Sequence, residues 1–262
     1  VLNGRYALKD ALGEGAFGTV VSAIDMNTSC VVAIKNISLL EEPEFVFEEL
    51  GILKRLSNPF LIHYLDDFMD GSNNMNIVME CAEGGSISNI IRKFGNLSEE
   101  VASIYTVHLL HGLDYLHSQG ILHRDIKCAN ALISGGIAKL ADFGLALDIV
   151  EYGRTLREFA GTAYWMSPEV INNDPISFPS DIWSLGITVY EMLNGKPPFF
   201  DLDPTPAMFQ IAGHRDIPIP PGVSQQCKDF LKKCLNKNPS ERPTAAQLLE
   251  HRWLRNAVNL LK

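Results

Sequence analysis

"HRDIKCAN", residues 123–130, sets a histidine, an arginine, an aspartate, a lysine and an asparagine into eight positions. Short apolar pieces flank it, "GIL" at 120–122 and "ALI" at 131–133. Such an octet suits a solvated turn as well as it suits a reaction site, so the residues around it have to decide.

The chain of 262 residues is 46% hydrophobic, enough to build one large domain or two small lobes around a proper core. It carries 22 basic against 31 acidic residues, a net charge of -9, which argues against nucleic acid as the main partner. Cys30, Cys81, Cys128, Cys227 and Cys234 are scattered, without metal-ligand pairs or a dense disulfide framework, and are expected to be reduced thiols in an intracellular, cytoplasmic protein. No stretch approaches the roughly 18 uninterrupted apolar residues of a membrane span, and no signal pattern opens the chain. A start at Val1 without methionine suggests a domain cut from something longer.

Strand signals dominate the first 81 residues. "RYALKDAL" (5–12), "GTVVSAID" (18–25) and "CVVAIKNISL" (30–39) alternate or run apolar between turn residues, and "LIHYLDDF" and "MNIVMEC" follow the same pattern. One helical segment interrupts them, "EPEFVFEELGILKRL" (42–56), with Phe45, Leu50, Leu53 and Leu56 at helix-like spacing. After "AEGGS" (82–86) the character changes. Ser98 with Glu99 and Glu100 opens a long helix that stops at Gly120, and "DIWSLGITVYEMLNG" (181–195) is apolar nearly all round, a helix buried on most sides. Further helices are expected at about 204–211, 224–235 and 244–250. The expected architecture is α+β and bilobal: a small antiparallel β lobe with one helix (1–81), a hinge (82–86) and a larger, mainly α lobe (87–262). Ligands favour the cleft at such a junction.

Three further motifs carry chemistry. In "GEGAFGTV" (13–20), Gly13, Gly15 and Gly18 let a hairpin close over phosphates, although a plain glycine-rich turn has the same composition. A strand follows it, which excludes the dinucleotide fingerprint, and no Gly-Lys-Ser ending makes it a P-loop. Lys35 ends the strand "VAIK" and has Glu44, Glu48 and Glu49 as candidate partners on the helix that follows. Such an ion pair would hold the ammonium over a nucleotide's phosphates. Asp142 in "ADFGLA" (141–146) follows an apolar strand and precedes a glycine; its carboxylate and the Asn130 amide oxygen are hard ligands suited to Mg²⁺.

Taken in order, "GEGAFGTV", "VAIK", "HRDIKCAN", "DFG" and "SPE" resemble the motifs of the eukaryotic protein kinases, over about Tyr6 to Leu254. The resemblance implies transfer of the ATP γ-phosphate to protein serine or threonine, with Mg²⁺ as cofactor. It implies Asp125 as the group that takes or orients the hydroxyl proton, Lys127 as a charge neutraliser, and Asn130 and Asp142 as metal ligands. Lys35 would pair with Glu49, with Glu48 the alternative. Neighbours on a helix point about 100° apart, so both cannot face Lys35. His123 is expected to be packed rather than catalytic. Leu12, Val20, Ala33 and Leu132 would sandwich the adenine, backbone groups of Glu80 and Ala82 would read its edge, and Met79 would control the pocket behind. Ser86 falls where many relatives place a ribose-contacting acid.

Thr162 in "GTAYWMSPEV" (161–170), with Lys127, fits the serine/threonine class. Glu169 would pair with Arg242, and Asp181 would brace the catalytic loop. Arg124 would await a phosphorylated residue in the activation segment; the position often modified in relatives is Glu158 here, whose single charge would stand in for the phosphate, with Thr155 the alternative phosphosite. Cys128 stands where close relatives usually have glycine, a handle for electrophiles if exposed. Within the family the chain resembles the sterile group, and "PPFFDLDPTPAMFQIAGHRDIPIPPGVS" (197–224) looks most like MAP kinase kinase kinase epsilon and the septation or mitotic-exit kinases. That likeness implies a protein substrate that is itself a kinase, and a regulatory partner bound outside this domain. A pseudokinase scaffold would lack a catalytic residue, whereas Lys35, Asp125, Asn130 and Asp142 are all present.

Overall fold

The early apolar runs pair into one sheet. A computed structural model describes residues 1–15, 18–40, 43–149 and 159–260. Strands β1 (Tyr6–Gly15), β2 (Gly18–Asp25), β3 (Val31–Ser38), β4 (Tyr64–Met69) and β5 (Asn74–Glu80) form an antiparallel sheet in the order β1-β2-β3-β5-β4. The pairing Lys35↔Ile77 puts Lys35 on the central strand, flanked on both sides and so not the edge residue that strand lysines commonly are. Helix α1 (Pro43–Arg55) buries Val46, Leu50 and Leu53 in one cluster with Ile37, Met75 and Ile77 of the sheet.

The larger lobe is built on helices. α2 (Ile87–Phe94) and α3 (Glu99–Ser118) are capped by the Ser86 and Ser98 hydroxyls, which accept the N–H groups of Asn89 and Val101. α4 (Pro168–Ile171) is one turn, and α5 (Pro179–Asn194) is buried nearly all round, with Trp183, Leu185, Ile187 and Val189 fully enclosed. Gly186 is required by packing: a Cβ there would lie 2.7 Å from Cys234 Cβ on α7 (Gln225–Cys234). α6 (Pro204–Ala212), α8 (Ala245–Leu249) and α9 (Arg255–Leu260) complete this lobe, α8 opening with a reciprocal Thr244–Gln247 capping box.

Two short ladders place the polar octet. β6 (Ile121–Leu122) pairs with β9 (Leu147–Asp148), and β7 (Ala131–Ser134) pairs with β8 (Ile137–Leu140). Residues 123–130 join β6 to β7 while residues 141–146 join β8 to β9, so the ladders hold "HRDIKCAN" against "ADFGLA". The Ala141 N–H donates to Asn130 O at 2.9 Å across that gap.

Part of the segment 82–86 is tied by backbone hydrogen bonds to the larger lobe. Gly84 N–H donates to Ile133 O, Ile133 N–H donates to Gly85 O, and Ser86 bridges Leu132, so residues 84–86 are strapped to β7 of the larger lobe. A Cβ at Gly84 would stand 2.7 Å from Ile133 Cβ, which makes close approach, not hinge freedom, the reason for glycine there.

All five cysteines are free thiols; Cys128, Cys227 and Cys234 are buried and Cys30 is exposed. The Cys128 thiol donates to Thr188 O, and burial beside Glu191 raises its pKa well above the ordinary range, so it is no handle for electrophiles. Burial likewise pushes Cys227 up to about 12. Under native conditions iodoacetamide is expected to modify Cys30 and to spare Cys128, Cys227 and Cys234 until the protein unfolds. Peptide mapping checks this, and rapid native labelling of Cys128 would contradict the burial.

Candidate active site

The octet is held by its backbone before its side chains act. Arg124 sits at φ 68, a conformation an arginine keeps only where its surroundings impose it. Buried Asp181 at the start of α5 imposes it, accepting the N–H groups of His123 and Arg124 at 2.9 Å each. Full burial opposes the Asp181 charge, yet the His117 ring at 3.0 Å and the His123 N–H hold its carboxyl below the usual range. Gly161 passes so close that a Cβ there would lie 2.8 Å from Arg124 O.

Within this frame Asp125 is the hub. Its Oδ1 accepts the Thr162 hydroxyl at 2.6 Å, and its Oδ2 accepts Lys127 Nζ at 2.7 Å and Asn130 Nδ2 at 2.8 Å. Lys127 also reaches Thr162 Oγ1 at 2.7 Å. Thr162, expected with Lys127 to mark the serine/threonine class, is bonded directly to the central carboxylate and its lysine. His123 is fully buried, with ring nitrogen Nε2 on Ala141 O and its ring packed on Phe143, which matches a structural role.

The second cluster lies under the sheet. Lys35 Nζ donates to Glu49 Oε1 at 2.7 Å and to Asp142 Oδ1 at 3.1 Å. Burial works against the ammonium, but the two carboxylates outweigh it and hold the Lys35 pKa above its ordinary value. Desolvation also opposes the Asp142 charge, and Lys35 beside it keeps that carboxyl below the ordinary range. Glu48 is exposed while Glu49 is buried, the divergence expected of helix neighbours. Glu49→Gln is expected to reduce turnover by about 10²-fold through misplacement of Lys35, and Glu48→Gln to leave it within about twofold. Equal losses in steady-state rate would show that the ion pair is not what positions Lys35.

A model of the protein kinase domain matches residues 6–254. The chain belongs to the protein kinase family. It is 44% identical over 257 residues to cytokinesis protein sepH of Aspergillus niger, covering 96% of this chain and 19% of that protein. It is 40% identical over 268 residues to MAP3K epsilon protein kinase 1 of Arabidopsis thaliana, covering 100% of this chain and 20% of that one. Cell division control protein 7 of Schizosaccharomyces pombe is 39% identical over 254 residues, 94% of this chain and 23% of that protein. The chain thus spans about a fifth of the length of these relatives.

In this kinase domain the expected nucleotide positions differ in exposure. Ala33 is buried opposite Met79 in the β3–β5 register, Val20 and Leu132 are partly exposed, and Leu12 is half exposed. The Glu80 side chain is paired with Lys139 at 2.6 Å. The Ser86 hydroxyl caps α2, accepting the Asn89 N–H at 3.1 Å. Gly15 pairs with Gly18, and Gly13 has open space around it. At Gly18 a Cβ would strike Asn36 O at 2.1 Å, so the close approach of the neighbouring strand β3 by itself requires a glycine there.

The donor set fits a phosphate-bound Mg²⁺. Asn130 donates through Nδ2 to Asp125, which leaves its amide oxygen as a ligand, and Asp142 supplies a carboxylate with its pKa lowered by Lys35. Among the described residues no group of three or more His, Cys, Asp or Glu could hold a metal alone. That suits an ion that takes most of its oxygens from phosphate and water.

Beside the expected Asp181, three supporting residues escape the motifs, Ser184, Thr188 and Glu191. α5 buries a polar stripe, Asp181, Ser184, Thr188 and Glu191, spaced 3, 4 and 3 residues apart on one face. Thr188 donates to Ile126 O, Ser184 donates to Trp165 O, and Glu191 accepts both the Cys128 N–H and Trp165 Nε1 at 3.1 Å. One helix face therefore holds both the octet and the turn at 163–165; the spacing was visible in the sequence, but its partners were not. Arg242 forks onto Glu169 at 2.6 and 2.8 Å, both buried. Arg124 donates to Leu145 O; its expected partner Glu158, like Thr155, lies outside the described residues. Among the described residues no helix is long and apolar enough to cross a membrane.

Proposed function

We propose that this domain transfers the γ-phosphate of ATP to serine and threonine hydroxyls of protein substrates. The observation that carries it is the joint Asp125–Lys127–Thr162–Asn130 cluster, set beside the Lys35–Glu49–Asp142 triad. ATP lies between residues 1–81 and the larger lobe, its adenine among Leu12, Val20, Ala33 and Leu132, its edge on Glu80 and Ala82, with Met79 behind and Gly13, Gly15 and Gly18 over the phosphates. Lys35, fixed by Glu49, orients the α and β phosphates. Asp125 accepts the proton of the attacking hydroxyl, and Lys127 offsets charge on the phosphoryl group in transit. Mg²⁺, held by Asn130 and Asp142, would neutralise the phosphate oxygens.

The resemblance to sepH and the MAP3K epsilon kinases supports a place upstream in a septation-type or MAP kinase-type cascade, with another kinase as substrate and regulatory partners bound through other regions. A direct assay tests the reaction. The purified domain with Mg-ATP and a serine/threonine-rich protein is expected to yield phosphoserine and phosphothreonine, mapped by mass spectrometry, that vanish with Asp125→Asn. Phosphate that persists in that variant, or appears on tyrosine alone, would overturn the assignment. The same map shows whether Thr155 is modified or Glu158 takes the place of a phosphate at Arg124.

A further inference from the structure

We propose that "RDIPIPP", residues 215–221, is a polyproline helix fixed on the surface of the larger lobe, and that its exposed edge Arg215, Pro218 and Pro221 docks a partner protein of the SH3 type, whose groove is lined by aromatic rings and acidic at one end. The proposal goes beyond the phosphoryl-transfer reading, because it concerns what binds the domain and not the reaction in its cleft.

The conformation is dictated locally. Proline fixes its own φ at about −65°, and the residue before a proline is pushed out of the helical region into extended or polyproline geometry. From Ile217 to Pro221 every residue is a proline, precedes one, or does both. In the folded chain residues 216–220 belong to no helix or strand and link α6 to α7. Gly222, at φ 79, turns the chain and ends the run.

Burial along the segment repeats every three residues. Ile217 is 4% exposed, Pro220 is buried, and Val223 packs partly buried against the same core as Ile217. Arg215, Pro218 and Pro221, also three apart, are exposed. A strand would bury alternate residues, which would put Pro221 inside with Ile217; instead Pro220 is inside and Pro221 outside. A polyproline helix has three residues per turn and so three edges. One edge pins the segment to the fold, and Arg215, Pro218 and Pro221 line another that faces solvent. Such pinning favours binding, since a segment ordered in advance loses less conformational freedom when a partner docks.

Charge identifies the occupant. Among the described residues the exposed Arg215 makes no ion pair. The neighbouring Asp216 carboxylate acts instead on the Lys237 ammonium, which donates to Ile211 O near the end of α6. The edge therefore presents one cation followed by two proline rings at even spacing. Its complement is a carboxylate beside aromatic slots: the guanidinium pairs with the acid and sets direction, while the proline rings fill the slots.

An array of isolated SH3 and WW domains, probed with the folded domain in the absence of ATP, tests this. At least one SH3 domain is expected to bind, shifting backbone resonances of residues 214–222 and not those of the cleft. Arg215→Glu and Pro218→Ala are each expected to weaken that binding by about tenfold, with unfolding temperature and phosphorylation of a generic substrate retained. Phe209→Ala, which removes a 74% exposed ring from α6, is expected to leave the binding unchanged. Absence of binding by every SH3 domain, binding that survives both edge variants, or binding that appears only once the domain is unfolded overturns the proposal. None of these readouts involves phosphoryl transfer, so the reading of the active site stands or falls separately.

Discussion

Asp125→Asn is expected to lower phosphoryl transfer by about 10²–10⁴-fold, the range that a positioned general base supplies, with ATP affinity little changed. The variant is informative because the surrounding bonds can survive it. Lys127 and Asn130 both donate to Oδ2, so an amide oxygen at that place keeps them. The Thr162 hydroxyl, which donates to Oδ1 in the native protein, can turn to accept from the new amide nitrogen. What disappears is the capacity to take a proton. A fall in kcat with unchanged nucleotide affinity therefore assigns the proton-accepting role to Asp125. A variant retaining more than about a tenth of the wild-type rate would mean that the carboxylate only orients the hydroxyl.

Arg242→Met is expected to destabilise the domain by about 3–5 kcal/mol, because Glu169 would remain charged and buried without its fork of donors. For a chain of this size that corresponds to a fall in Tm of about 10 °C. Arg242 also donates to Pro179 O and Asn236 O, so its loss unpairs two carbonyls as well. Pairing it with Glu169→Gln is expected to restore part of the stability, since the uncompensated charge is then gone. Thermal unfolding of the two single variants and the double variant measures the coupling. Strict additivity would show that the two residues act separately and that the fork contributes no interaction of its own.

The division between sequence and tertiary structure follows the range of the forces involved. Strands, helices and caps arise from contacts within a few residues, so β1 to β5, α1 and the Ser98 cap could be read from alternation, helical spacing and cap chemistry. Motif order supplied Lys35, Asp125, Lys127, Asn130 and Asp142, because each motif keeps its chemistry in a short span. Glu49 as the partner of Lys35, with Glu48 the alternative, follows from the resemblance and not from helical spacing, and the physical reason for it, the burial of Glu49 under the sheet, is visible only in the folded chain.

The glycines show the same limit. Gly18 and Gly84 read as a phosphate loop and a hinge, yet contacts with Asn36 and Ile133, distant in the chain, are what exclude a side chain at each. Likewise the sequence displayed the 3–4–3 spacing of Asp181, Ser184, Thr188 and Glu191, but a polar stripe on an otherwise apolar helix has no meaning until its partners are known. By itself the sequence determined the fold class, the family and the polar residues that its motifs set apart. Tertiary structure alone decided which of them meet, because a buried polar group is stabilised only by a partner that folding brings from elsewhere in the chain.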